Sequence, residues 1–137
     1  MGGVLAVAKK VLIVEDNELN LRLFRDLLEA HGAEVRTVRD AREALEAMRA
    51  FLPQLVIMDI QLPHISGVEL IKLMKADPAL DTVPVMAVTA YAGKGDEGRV
   101  RQAGADAYVS KPISVSRFVS AVEGLAGPLG DGFKRAG

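Results

Sequence analysis

Five residues stand where an apolar run gives way to polar sequence. Glu15 and Asp16 follow residues 11–14, Asp59 follows 55–58, Thr89 follows 83–88, and Lys111 comes just after 107–109. Three carboxylates brought together repel one another and push each other's pKa up unless a cation relieves them. The ammonium of Lys111 is one such partner and a divalent ion is another. An oxygen-only ligand set favours Mg²⁺, with Mn²⁺ as the alternative, over zinc. A carboxylate beside a metal and a lysine is also a nucleophile toward phosphorus, and its product is an aspartyl phosphate. Thr89 can then donate a hydrogen bond to one phosphoryl oxygen while Lys111 pairs with another. Such chemistry needs positioning and charge neutralisation more than acid–base work.

The elements between these residues must carry them to one place. Residues 11–14 are short, apolar and rich in β-branched side chains, which predicts a strand buried on both faces. Asn17 reads as the N-cap of a helix whose apolar face is Leu23, Phe24, Leu27, Leu28 and His31, with Gly32 as its stop. Residues 35–38 alternate apolar with polar, as a strand near a sheet edge does. Asp40 caps a second helix that turns Ala44, Leu45, Met48 and Phe51 inward, with Pro53 past its end.

The unit recurs. Residues 55–58 run into Asp59, and a helix carrying Val68, Leu70, Ile71 and Met74 follows. Residues 83–88, interrupted only by Pro84, run into Thr89, and after another helix residues 107–109 run into Ser110-Lys111. A last helix presents Val115, Phe118, Val119 and Val122. Five β-then-α units predict an α/β fold, a doubly wound five-stranded parallel sheet with right-handed crossovers and five helices. Ligands bind such sheets outside the carboxyl ends of the strands, where the strand order reverses. All five reactive residues fall at those ends.

Composition narrows the function further. The 137 residues are 50% hydrophobic and 26% charged, which suits one domain around one core. Lys and Arg number 17 against 18 Asp and Glu, so no cationic excess exists to drive binding to nucleic acid or to an anionic membrane. The absence of cysteine excludes disulfides, Cys-ligated zinc, iron–sulfur clusters and thiol catalysis. No apolar run approaches the ~18 residues of a membrane helix. Residues 1–8 are apolar but lack a basic leading segment, and Lys9-Lys10 ends them too early for a signal peptide. The expectation is a cytoplasmic, monomeric domain over residues 9–126. Residues 1–8 form a short extension, and residues 127–137, with four glycines and one proline, a frayed tail.

Four motifs in order carry a family resemblance: Val14-Glu15-Asp16-Asn17; Met58-Asp59-Ile60-Gln61-Leu62-Pro63 with Ser66-Gly67; Val88-Thr89-Ala90; and Tyr108-Val109-Ser110-Lys111-Pro112. Together they make residues 9–126 resemble the receiver domains of two-component response regulators. The wording around the first, second and fourth looks most like the DivK-type single-domain regulators of alphaproteobacterial cell-cycle phosphorelays. The resemblance implies strand order 2-1-3-4-5, Asp59 as phosphoacceptor, and Glu15 and Asp16 as the acidic metal pair. It further implies a metal-binding main-chain carbonyl from Gln61, Thr89 and Tyr108 as a conformational switch, Lys111 as the phosphoryl contact, and a cis Lys111–Pro112 peptide. Partners would be a sensor histidine kinase, a histidine phosphotransfer protein, or both, with downstream kinases as allosteric targets. The helix beginning Asn17-Glu18-Leu19-Asn20 flanks the acidic rim, so Asn17, Leu19 and Asn20, with Pro112, are the expected docking residues.

The same residues bear on other chemistries. A haloacid-dehalogenase-type phosphohydrolase also uses a nucleophilic Asp, a Thr or Ser, a Lys and Mg²⁺, but needs a second Asp two residues after the nucleophile. Gln61 stands there and cannot donate a proton. A flavin or nucleotide module on the same fold lacks a phosphate-cradling loop after the first strand. Residues 93–98 spell G-x-G-x-x-G, yet they follow the fourth strand, and Asp96 and Glu97 would face a pyrophosphate with like charge. Those acids instead suit the first turn of a helix that starts late. Residues 91–98 are therefore expected to be mobile and to become ordered on phosphorylation.

Overall fold

The computed structural model describes residues 8–90, 96–111 and 114–129. Its elements run β1 (Lys10–Val14), α1 (Glu18–Ala30), β2 (Glu34–Val38), a 3₁₀ turn (Ala41–Glu43), α2 (Ala44–Phe51) and β3 (Leu55–Asp59). They continue with α3 (Gly67–Lys75), β4 (Val85–Thr89), α4 (Asp96–Ala103), β5 (Ala107–Ser110) and α5 (Val115–Ala126). The strands form one parallel sheet in the order β2-β1-β3-β4-β5, as the resemblance implied.

Alternation within the strands divides the core between two faces. Val11 and Ile13 of β1, with Leu55 and Ile57 of β3, pack against Phe24 and Leu28 of α1 and Phe118 and Val122 of α5. Leu12 and Val14, with Val56 and Met58, face the other way, onto Met48 of α2, Leu70 and Met74 of α3, and Val100 of α4. The rings of Phe24 and Phe118 stack at 4.7 Å between centroids and join α1 to α5. A sheet covered on both faces needs continuously apolar strands, which is what β1, β3 and β4 supply.

Local chemistry sets the helix starts. The side chains of Asn17, Asp40, Ser66 and Ser114 each accept a main-chain N–H from the first turn that follows, for example Asn20 N–H at 3.0 Å on Asn17. Gly32, at φ 94°, turns the chain after α1 in a conformation that other residues resist. The fourth strand begins at Val85, two residues later than the apolar run, because Pro84 has no N–H for the ladder.

Three expectations are corrected. Leu23 is 52% exposed, and Leu21 takes the inward position on α1 instead. Val115, also expected inward, is exposed at the start of α5. Residues 127–137 were expected to fray from Gly127, yet Leu129 is buried in the α1–α5 layer. Its carbonyl accepts the Lys9 N–H at 2.8 Å. The apolar side chain and the bond to Lys9, just before β1, outweigh the flexibility of the flanking glycines. The tail beyond Leu129 and the extension before Ala8 lie outside the described residues.

Candidate functional site

Parallel strands all end on one edge, so the residues just past β1, β3, β4 and β5 meet there. Glu15 is held by its N–H on the Val38 carbonyl at 3.0 Å, and Ile60 after Asp59 by its N–H on the Val88 carbonyl at 3.0 Å. The Lys111 N–H donates to the Thr89 carbonyl at 2.7 Å, which ties the two ends of β4 and β5 together. Each bond continues the ladder by one residue and so aims the side chain beside it.

The result is an acidic cleft with one ammonium. Carboxylate oxygens of Glu15, Asp16 and Asp59 lie within 4.8 Å of one another. Glu15 is 1% exposed and Asp59 5%, with Thr89 buried beside them. Lys111 Nζ stands 3.1 Å from Glu15 Oε1 and 3.9 Å from Asp59 Oδ2. Main-chain donors complete the set: Asn17 N–H reaches Glu15 Oε2 at 3.2 Å and Gln61 N–H reaches Asp59 Oδ1 at 3.0 Å. Burial, reinforced by the hydrogen-bonded Asp59 carboxyl, pushes Glu15 from the ordinary 4.5 up to about 7, and Lys111 only partly opposes this. Among the described residues one ammonium faces three acids, which leaves this cluster short of positive charge. An all-oxygen cluster with that deficit fits a hard divalent cation, which Glu15, Asp16 and Asp59 would hold.

Other predicted residues fall around this cleft. Tyr108 packs against the helices α2–α4 side of the core, and its hydroxyl is buried without a hydrogen-bond partner among the described residues. Burial also raises its pKa above the usual phenol value. Asn17 and Leu19 are exposed at the start of α1, Leu19 by 76%. Asn20 lines a groove of about 360 Å³ between α1 and α5, with Leu23, Phe24, Val115 and Phe118 along it and Lys111 at its head. Pro112, and with it the Lys111–Pro112 peptide, lies outside the described residues, as do residues 91–95 of the glycine-rich segment. Asp96 and Glu97 lie in the first described turn of α4, where acidic side chains suit the helix dipole.

Three contributors were not legible in sequence. Gly67 lets α3 press against β3: a Cβ there would lie 2.6 Å from Ile60 Cα and 2.7 Å from the Asp59 carbonyl oxygen. Arg39 reaches from the end of β2 to donate to the Asp16 carbonyl at 3.2 Å. The Gln61 side chain crosses from the β3 loop to β4, where its Oε1 accepts the Ala90 N–H at 3.3 Å. Gly67 and Gln61 left a trace as members of one motif, but the contacts themselves depend on how the loops fall in space.

Comparison with known proteins agrees with this geometry. Residues 11–123 match the response regulator receiver domain family. The polar-differentiation response regulator DivK of Brucella anthropi is 55% identical over 119 residues, covering 87% of this chain and 97% of that protein. DivK of Brucella ovis is 54% identical over 121 residues, covering 88% and 98%. Among solved structures, the receiver domain of a sensor histidine kinase from Pseudomonas aeruginosa, with a magnesium ion coordinated in its active-site cleft, superposes with a TM-score of 0.81. It shares 28% identity over 88% of this chain and 98% of that one. The chemotaxis protein CheY4 of Vibrio cholerae, at 23% identity over 86% and 98% of the two chains and a TM-score of 0.82, shares the fold. The phosphohydrolase alternative finds no support in these relatives, and Gln61 occupies the place its general acid requires. The chain belongs to the response regulator receiver domain family and is a response regulator of two-component signalling.

Proposed function

We propose that Asp59 accepts a phosphoryl group from the phosphohistidine of a sensor histidine kinase or a histidine phosphotransfer protein. The observation that carries this reading is the placement of Asp59, nearly buried, between two further carboxylates and the Lys111 ammonium. An Asp59 oxygen forms the new bond to phosphorus while the phosphorus–nitrogen bond breaks, and the electron pair returns to the imidazole. Lys111 pairs with a phosphoryl oxygen once its hold on Glu15 loosens, and Thr89 donates to another. Mg²⁺, or Mn²⁺, bound by Glu15, Asp16 and Asp59 with the main-chain carbonyl of Gln61, supplies the positive charge this cleft lacks.

Thr89 on β4 and Tyr108 on β5, two positions apart in the register of these paired strands, then report the modification to the α4–β5 face. The start of α1, through Asn17, Leu19 and Asn20, together with Pro112, forms the docking surface for the phosphohistidine partner. The groove beside Asn20 leads from that surface to Lys111, which supports this placement. Output passes to downstream kinases by contact, in a cell-cycle circuit; the DivK relatives are named for polar differentiation, which supports a developmental role of this kind. The chain modifies itself and turns over no separate substrate.

A small phosphodonor with Mg²⁺ should add one phosphoryl group, read by intact mass, and Asp59→Asn should abolish the addition. Label persisting on another carboxylate of that variant would sink the assignment.

A further inference from the structure

Among the described residues, two main-chain donors just past the ends of β3 and β4 are already occupied. Gln61 N–H is taken by Asp59 Oδ1 at 3.0 Å. Ala90 N–H, at the end of β4, is taken by the side-chain Oε1 of Gln61 at 3.3 Å. Gln61 thus spans the phosphoacceptor from the β3 side to the β4 side. A phosphoryl group on Asp59 brings three strongly accepting anionic oxygens into the cleft. Among the described residues, beyond Lys111 and Thr89, the Ala90 N–H just past β4 is a donor that such an oxygen would seek.

We propose that the Gln61 side chain is a built-in placeholder for the phosphoryl group. Its amide oxygen keeps the Ala90 N–H satisfied while Asp59 is unmodified and is displaced when a phosphoryl oxygen arrives. The inference rests on Asp59 being the phosphoacceptor. The physics favours the exchange in one direction. A charged phosphoryl oxygen makes a hydrogen bond roughly twice as strong as a neutral amide oxygen does. Gln61 and Ala90 are both exposed, so the displaced side chain is re-solvated at little cost. The placeholder nonetheless opposes modification by the strength of the bond that must be given up, and this sets the level of Asp59 modification at a given phosphodonor concentration.

Three full-length proteins decide the matter: wild type, Gln61→Met and Gln61→Glu. Methionine keeps the length and removes the acceptor, whereas glutamate keeps an acceptor and adds charge. Beryllofluoride with Mg²⁺ serves as the phosphoryl mimic, and amide exchange at Ala90 is followed by NMR without it. In Gln61→Met the Ala90 amide should exchange severalfold faster, and the mimic should bind roughly two- to tenfold tighter. In Gln61→Glu the amide should stay protected and the mimic should bind more weakly than to wild type. If Gln61 were a strut bracing the loop, Gln61→Met would weaken mimic binding, and that result overturns the placeholder, as does unchanged affinity. A wild-type protein that binds no mimic at all overturns the phosphoacceptor reading itself and the placeholder with it. Binding that Gln61→Met fails to tighten overturns the placeholder alone.

Discussion

Lys111 pairs with Glu15 before it pairs with Asp59: its Nζ is 3.1 Å from Glu15 Oε1 and 3.9 Å from Asp59 Oδ2. Two residues separated by most of the chain thus share a proton-rich, nearly buried contact at the centre of the cleft. The Lys111 ammonium is held in reserve on Glu15, a residue that is not the proposed phosphoacceptor. The balance of charge among these groups governs how the protein responds to pH, to metal and to substitution.

Glu15 titrates near 7 in the fold and near 4.5 when unfolded, chiefly because it is buried. Its carboxyl therefore retains a proton in the folded state that the unfolded chain has already released. Stability should be full below about pH 4.5 and fall as pH rises through 7, by at most on the order of 3 kcal/mol from this group. Mg²⁺ needs the carboxylates deprotonated, so it should stabilise more at pH 8 than at pH 5.5. Urea melts from pH 5 to 8, in chelator and in Mg²⁺, check both trends. A chelator profile that Glu15→Gln does not flatten would remove Glu15 as their source.

Lys111→Met should leave Glu15 and Asp59 without their shared ammonium. A loss on the order of 2 kcal/mol is expected at pH 8 without metal, with a smaller loss at pH 5.5, where Glu15 is protonated. Thermal unfolding of the variant at the two pH values is the check; equal losses would mean the ion pair is not the cause.

Gly67→Ala should disturb the site from behind. The added methyl would sit 2.6 Å from Ile60 Cα, and main chain cannot yield cheaply. A cost of about 1–3 kcal/mol is expected, with slower phosphorylation because the loop bearing Gln61 must move. Wild-type stability together with wild-type phosphorylation kinetics would show that α3 can back away freely.

Gly98→Ala should act in the opposite sense. The position lies inside α4, and nothing lies within 4 Å of the added Cβ. The variant should gain roughly 0.5–1 kcal/mol by restricting the unfolded chain and favouring the helix. Denaturant titration reads the change, and a loss of stability would point to a contact of α4 that the static structure does not hold.

Leu129→Ala tests whether the chain past α5 belongs to the core. Leu129 is 1% exposed against the α1–α5 layer. Its truncation should cost about 2–3 kcal/mol, the low end for a buried leucine because it lies at the edge of the cluster. A neutral result would return it to the frayed tail that its glycines suggest.

Strand identity and the residues at strand ends were legible from the chain because periodicity and burial act locally. The apolar runs before Glu15, Asp59 and Thr89 could only be central strands, and a parallel sheet puts all strand ends on one edge. Caps at Asn17 and Asp40 were legible for the same reason, since a side chain reaching two or three residues ahead needs no tertiary partner. Helix orientation was read less well: Leu23 and Leu21 fit an amphipathic pattern equally, and only the sheet beneath α1 chose Leu21. Lys111 with Glu15, Gln61 with Ala90, Arg39 with Asp16 and Leu129 with the N-terminus of β1 required the fold itself. Each joins side chains or loops far apart in sequence. Residue type alone says that an ammonium or an amide will find a partner, and the closing of the sheet and the fall of its loops decide which one.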